Sequence, residues 1–210
     1  MPEETVRRGE RTRAAIVEAA HELFVQQGYH GTSMRQIATK AGLALGGLYN
    51  HFPSKEEVFK EVFLEYHPYH EVLPVMMEAR GENIEQFVRD AFARVIEVLN
   101  NRPGFMNLMF IETVEFNGAH MRELFQALLP QAFLIIQSIQ HTNRDQMRDI
   151  PPFIIIRTFL GMMIAYYITE MVLAPAAPAE FYQEARPYFE SIYLYGILKQ
   201  TEPGAPGTEA

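Results

Sequence analysis

Between Gly28 and Phe59 the chain sets stop signals and helix caps so close together that only short helices fit. Gly28 ends a first helix expected over about Arg8–Gln27, whose Ile16, Ala19, Ala20, Leu23 and Phe24 fall on one stripe. Ser33 then caps a second helix, with Gln36 three residues on as capping-box partner. Met34, Ile37, Ala38 and Ala41 give that helix its buried face, and Gly42 supplies the turn. A third helix over about Ala44–His51 turns Leu48 and Phe52 inward, and Pro53 stops it. Ser54 and Glu57 form a second capping box, opening a fourth helix through Val58, Phe59, Val62, Phe63 and Tyr66. Two short helices joined by a glycine turn, braced by a third, make the layout of a helix-turn-helix.

Such a unit reads duplex DNA when donors grip phosphates, a helix fits the major groove, and a rigid core holds both. Ser33 and Arg35 occupy the first turn of the second helix, Tyr49 and His51 end the third, and Lys55 opens the fourth. These are the candidate phosphate contacts. The groove-facing edge is Ala44, Leu45, Gly46, Gly47 and Asn50. Asn50 has the chemistry to bond adenine bidentately, and Ala44 or Leu45 to pack on a thymine methyl. Paired glycines lower helix propensity by about 1 kcal/mol each relative to Ala. They make sense where backbone must approach another surface closely.

The string Thr32-Ser33-Met34-Arg35-Gln36-Ile37-Ala38, then Ala41-Gly42-Leu43, Gly46, Leu48-Tyr49-Asn50-His51-Phe52 and Ser54-Lys55-Glu56, resembles the TetR family of ligand-responsive transcriptional repressors. The resemblance covers roughly residues 10–65. It implies an all-helical homodimer: a three-helix DNA-binding head, a linking fourth helix and a body with a small-molecule pocket. It also implies that the last two long helices form a four-helix dimer interface. Ala44 stands where the family often has Ser or Thr, so a hydroxyl cap contributing about 0.5–2 kcal/mol is missing. Leu45 stands where a polar residue is common.

Charge divides the chain in the same place. Residues 1–55 carry seven basic and five acidic side chains, whereas the remainder carries eleven and twenty-one. A polyanion is accepted by the N-terminal part and repelled by the rest. The chain has no cysteine, which excludes disulfides, thiolate metal sites and cysteine nucleophiles and fits a cytoplasmic protein. The arginines near the N-terminus precede no apolar run, so no secretory signal is expected. Phe153–Ala174 is apolar and long enough to span a bilayer, but Arg157 and Glu170 argue for a buried or interface helix and no membrane partner.

The remainder also reads as helix: Ile84–Leu99, Phe105–Phe116, Ala119 to about Gln140, the helix from Phe153, and a last one over about Ala179–Lys199. Pro68 and Pro74 make Tyr66–Pro74 an irregular end of the fourth helix, and Pro130 bends its own. No alternating strand pattern or internal repeat occurs. The fold class is therefore all-α, with an N-terminal three-helix helix-turn-helix domain at 1–54, a larger helical ligand-binding and dimerisation domain at 55–200, and a disordered tail at 201–210.

The body is rich in Met and aromatic residues, which adapt to irregular apolar ligands. With the family's pocket in mind, Met106, Met109, Phe110, Phe116, Phe125, Phe159, Met163, Tyr166 and Tyr167 are the candidate lining. Glu112, Glu115 and Glu170 interrupt apolar helices and need a cationic ligand, a salt bridge or solvent. His67 and His70 have no placed third ligand, so neither metal nor cofactor is expected. No catalytic constellation has a convincing neighbourhood, and the chain is not expected to be an enzyme.

One short reading helix covers few base pairs, so a two-fold pair on two half-sites is the economical arrangement. Two broad apolar helices, Phe153–Ala174 and the last, point to a second copy as their cover. The expected function is a dimeric DNA-binding transcriptional regulator, a repressor released from its operator by a small, largely apolar effector. The alternative is a small-molecule or lipid-binding helical protein with weak or no DNA readout.

Overall fold

The computed structural model describes residues 2–79, 83–102, 104–173, 176, 178 and 185–199. Its helices are α1 (Pro2–Gly31), α2 (Met34–Lys40), α3 (Leu45–Tyr49), α4 (Lys55–Tyr66), α5 (Tyr69–Glu78), α6 (Ile84–Asn100), α7 (Phe105–Phe116), α8 (Ala119–Thr142), α9 (Pro152–Leu173) and α10 (Ala185–Ile197). No strand forms among the described residues, where an isolated bridge pairs Met147 with Leu198. The fold is all-α, with an N-terminal helix-turn-helix followed by a longer helical portion.

Three boundaries differ from the sequence reading. The helical run of α1 begins at Pro2, six residues earlier than expected, and resumes after Gly28 as far as Gly31. Gly28 breaks it at φ 73°, ψ 178°, so the glycine stop stands at its expected position, followed by one extra turn. The irregular end expected at Tyr66–Pro74 is instead a second helix. His67 is extended (φ −71°, ψ 130°), the conformation a residue before proline prefers, and α5 then accommodates Pro74 inside it. The last helix is seen from Ala185. Its expected start at Ala179, with Phe181 and Tyr182, and the tail 201–210 lie outside the described residues.

Packing divides the chain into two compact units, Met1–Pro68 with Arg102–Ala127, and Tyr69–Asn101 with Leu128–Ala210. These lines differ from the division at residue 54, which marks where the head's sequence pattern ends.

In the first unit Ile16, Ala20 and Phe24 of α1 are buried with Ile37, Leu48, Phe52, Val58, Phe59, Val62 and Phe63. An aromatic cluster extends this core into α7. Phe116 stacks on Phe59 at 4.8 Å and meets Tyr29 edge-on at 5.1 Å, and Phe59 meets Phe24 edge-on at 5.5 Å. Rings at these separations add about 0.5–1.5 kcal/mol per pair beyond the area they bury. α7 also reaches α1 at its own start. Asn107 Nδ2 donates to Val25 O at 3.0 Å. Gly104 caps α7 at φ 92°, and a Cβ there would lie 2.8 Å and 2.9 Å from the Val25 methyls. Backbone handedness and the stiff β-branched neighbour both demand glycine.

The corner between α7 and α8 is held by a buried carboxylate. Glu112 is 0% exposed; its Oε1 accepts from the backbone N of His120 (2.8 Å) and Met121 (3.1 Å), and its Oε2 meets His120 Nδ1 at 2.8 Å. The carboxylate thus satisfies unbonded N–H groups at the start of α8, where the helix dipole also favours negative charge.

The second unit is built on α6, α9 and α10. Asn83 caps α6 through a 2.9 Å bond from Gln86 N, and α6 buries Val88, Ala91, Phe92, Val95 and Leu99. Phe92 meets Phe159 at 6.4 Å and Tyr166 at 5.4 Å, both edge-on. Tyr193 of α10 donates its hydroxyl to Ile155 O at 3.1 Å, and burial pushes its phenol well above the ordinary range. Arg89 joins Glu190, nearly fully buried, at 2.8 Å.

Candidate nucleic-acid interface

The local sequence builds the α2–α3 pair from its caps. Ser33 Oγ accepts from Gln36 N at 3.3 Å, and Ser33 N donates to Gln36 Oε1 at 2.8 Å, so the expected capping box forms in full. Ala41 N returns to Ile37 O, Gly42 N to Thr39 O and Leu43 N to Ala38 O, which closes α2 and sets the turn. α3 starts at Leu45 with Ala44 as an extended N-cap that makes no side-chain bond, so the missing hydroxyl is a real omission. It ends at Tyr49, two residues before the expected His51. Ser54 Oγ caps α4 by accepting from Glu57 N at 3.2 Å; the return bond seen at Gln36 is not made there.

One side of α3 is fixed and the other is open. Leu48 (0% exposed) and Phe52 (1%) are locked in the core, while Ala44, Gly46, Tyr49 and Asn50 are exposed and Leu45, Gly47 and His51 are half-buried. Ser33 and Arg35 are exposed on α2. All of these expected contact residues therefore share the first unit, with side chains or backbone accessible. A Cβ built on Gly46 or Gly47 would meet nothing within 4 Å. Neither glycine has a positive φ, so nothing within the head requires glycine at these two helical positions.

Lys55 has a second occupation. Its Nζ donates to Tyr29 O and Thr32 O, each at 2.8 Å, and sits 4.1 Å from the centre of the Tyr29 ring. Burial holds its ammonium below the ordinary lysine value, against an opposing pull from Glu115. Two of its three protons thus fasten the α1–α2 turn, which leaves one for a phosphate. Sequence reasoning misses this clamp because the partners are backbone carbonyls, which carry no residue signature. It also misses Arg13, whose guanidinium lies 4.3 Å over the Phe52 ring and pairs with Glu61 at 2.8 Å, fixing α1 to the segment that follows α3 and to α4. Lys40 is paired with Glu22 at 2.6 Å.

The expected ligand-lining residues fall five in the first unit and four in the second. In the first, Met106 is buried, Met109 and Phe116 are half-buried, and Phe110 and Phe125 are exposed. In the second, Phe159 and Met163 are buried, and Tyr166 joins Phe92 and Phe189. Tyr167 donates to Leu99 O at 3.2 Å. Two of the interrupting carboxylates have protein partners: Glu112 as described, and Glu115 with His30 at 2.6 Å. Among the described residues no group of three or more His, Asp or Glu could hold a metal ion.

Residues 16–62 match the family of bacterial regulatory proteins designated tetR. An HTH-type transcriptional regulator of Staphylococcus aureus strain USA300 is 31% identical over 117 residues, covering 48% of this chain and 61% of the relative. The chain thus spans about 61% of the length of the curated relatives it matches. Among solved structures, native NalD of Pseudomonas aeruginosa, the secondary repressor of the MexAB-OprM multidrug efflux pump, superposes with a TM-score of 0.66 at 18% identity, over 92% of this chain and 100% of that one. The fatty acid degradation regulator FadR of Bacillus halodurans gives 0.68 at 16% identity, over 87% and 94%. Those two likenesses are of fold. Residues 16–62, which hold the capped helix pair and the α3 segment, thus carry the pattern of the tetR family of bacterial regulatory proteins.

Proposed function

We propose that this protein is a dimeric, sequence-specific DNA-binding transcriptional regulator, a repressor that leaves its operator when a small, largely apolar effector binds. The observation that carries the reading is the glycine pair of α3. Gly46 and Gly47 lower helix stability by about 1 kcal/mol each, yet a methyl at either position would touch nothing in the protein. The restriction then comes from outside, from a surface that α3 backbone must approach closely. The DNA major groove is such a surface, and Tyr49, Asn50, Ser33 and Arg35 of the same unit are exposed with donors to offer.

The second copy is supported by α9 and α10. Tyr188, Ile192 and Tyr195 of α10, at i, i+4 and i+7, are 66%, 73% and 73% exposed. On α9, Phe153, Ile164, Met171 and Val172 are also exposed. α9 is the one helix among the described residues that is long and apolar enough to cross a membrane. It packs against α6 and α10, which suits a helix completing an interface with a partner protomer. The effector reading is supported by the aromatic and Met-rich second unit, and by structural neighbours named for fatty acid degradation and for a multidrug efflux pump.

Gly46→Ala and Gly47→Ala test the carrying observation. Each is expected to raise the stability of the head by roughly 0.5–1 kcal/mol in thermal unfolding. Each is also expected to weaken binding to a duplex selected from a random library at least tenfold. A stabilised variant that binds DNA as well as the parent would refute the groove assignment.

A further inference from the structure

Glu190 keeps one carboxylate oxygen without a hydrogen bond. The residue is 3% exposed on α10, and its Oε2 accepts from Arg89 at 2.8 Å. Its Oε1 is buried and has no hydrogen-bond partner among the described residues. Arg186 Nε lies 3.3 Å from that oxygen, an ion pair without hydrogen-bond alignment, and the Arg186 side chain is 47% exposed. A buried carboxylate oxygen has nothing to replace its lost hydration unless a donor reaches it.

A second copy of the chain does not supply that donor. Glu190 shares its side of α10 with the buried Tyr193, Leu194 and Ile197, whereas Tyr188, Ile192 and Tyr195 form the opposite, exposed side. The inner side packs on α6 and α9. There Tyr166 meets Phe189 and Phe92 edge-on, each at 5.4 Å. Glu170 follows Tyr166 by one helical turn, on the stripe that starts with the buried Ile155, Phe159 and Met163. Glu170 is half-buried and bonds to no described residue. The Tyr166 phenol is raised above its ordinary value, by burial first, then by Glu170, with Arg186 opposing and Glu190 adding, so these three charges surround one ring. Arg89 and Arg186 stand against Glu85, Glu190 and Glu170, which leaves the cluster one positive charge short of neutral.

We infer that this cluster binds a small primary or secondary amine, whose ammonium donates to Glu190 Oε1 while its apolar body lies against Tyr166 and Phe189. Such a ligand supplies both missing things, an N–H for the oxygen and one positive charge. Aromatic rings beside carboxylates suit a cation of this kind. Arg186, exposed and poorly aligned, yields its place by swinging toward solvent, and Arg89 stays on Oε2. The inference deepens the effector reading above and rests on it for its regulatory meaning: the largely apolar effector carries one cationic end.

The full chain is titrated calorimetrically with hexylammonium and benzylammonium. Saturable binding is expected. Glu190→Gln, which removes the charge but keeps an amide oxygen for Arg89, is expected to weaken it at least about tenfold. Glu170→Gln, which has no bond to lose, is expected to weaken it less. Thermal unfolding without ligand shows whether each variant is folded; if Glu190→Gln is not, Glu170→Gln and the choice of probe decide. Hexyltrimethylammonium carries the charge without an N–H and is expected to bind at least about tenfold more weakly than hexylammonium. Hexanoate is expected not to bind. Failure of both amines to bind, equal binding of the trimethyl probe, tighter binding of hexanoate, or unchanged amine affinity in the folded variants would overturn the inference. The effector reading is tested apart from it, by the affinity for a selected duplex with and without hexylammonium. Amine binding that leaves DNA affinity unchanged would uphold the site and contradict the effector reading.

Discussion

Lys55 shows how one side chain serves folding before it serves function. Its ammonium ties Tyr29 O and Thr32 O together across the α1–α2 turn, in a partly buried setting. Lys55→Met keeps the stem but takes the ammonium from Thr32 O and leaves Tyr29 O with the Thr32 N–H alone, which costs roughly 1–3 kcal/mol; thermal unfolding should register this as a loss of stability in a variant that still folds. His21 gives a second residue-scale prediction. It stacks flat on Tyr66 at a 3.6 Å centroid separation. Burial lowers its pKa below 6.5, with Glu22 opposing and Arg102 adding to the effect. The folded state then binds fewer protons at His21 than the unfolded state does. Its contribution is whole above the ordinary histidine value and is lost as pH falls below 6.5 through the lowered value. His21→Phe keeps a ring on Tyr66 and removes the titration. Between pH 7 and pH 5 the variant should lose fewer degrees of melting temperature than the wild type, and equal losses would assign the dependence to other groups. The chemistry of both residues is visible in the sequence; their partners, a carbonyl pair and a stacked ring, are set only by tertiary packing.

At the scale of elements, legibility in the sequence tracks how local each signal is. Ser33 with Gln36 marks a helix start within four residues, and the structure forms that box in full. Gly28, Gly42 and Pro53 are equally local, and the helices of the head lie between them. Where the outcome depends on distant packing, pattern is a poorer guide. Pro68 and Pro74 suggest an irregular stretch, but α5 packs on α6 and keeps its helical path around Pro74. Glu112 reads as an intrusion in an apolar helix. Its partner lies across the Asn117–Gly118 corner, where both residues take positive φ and turn α8 back toward the carboxylate. Eight residues of separation across a break leave no periodic trace. Glu112→Ala should strand two backbone N–H groups and the His120 ring in the core, costing about 3–5 kcal/mol as for a broken buried pair. Glu112→Gln, which retains an acceptor for the backbone, should cost clearly less in denaturant unfolding. Similar losses in both variants would mean that the α8 cap is not what the carboxylate provides.

For the whole molecule, an acidic chain carries a head that alone has more basic than acidic side chains, and a helix pair, α9 and α10, whose large apolar side chains such as Ile164, Tyr188 and Ile192 are exposed among the described residues. Both features suit a protein that meets DNA through its N-terminal head and its own copy through its last helices. The body's ligand chemistry is the least legible part, because Met and aromatic residues build core and pocket from the same pattern. Phe116 illustrates this: its sequence setting suggests pocket lining, yet it packs into the head's aromatic cluster on Phe59 and Tyr29. The central claim is that α3 docks into DNA twice, once from each protomer. Methylation protection of the major groove on a selected duplex tests this most directly. Two symmetric protected clusters, spaced by about one helical turn of 34–36 Å or a multiple of it, are the predicted result, both weakened by Gly47→Ala. A single cluster, or protection confined to the minor groove, would contradict it.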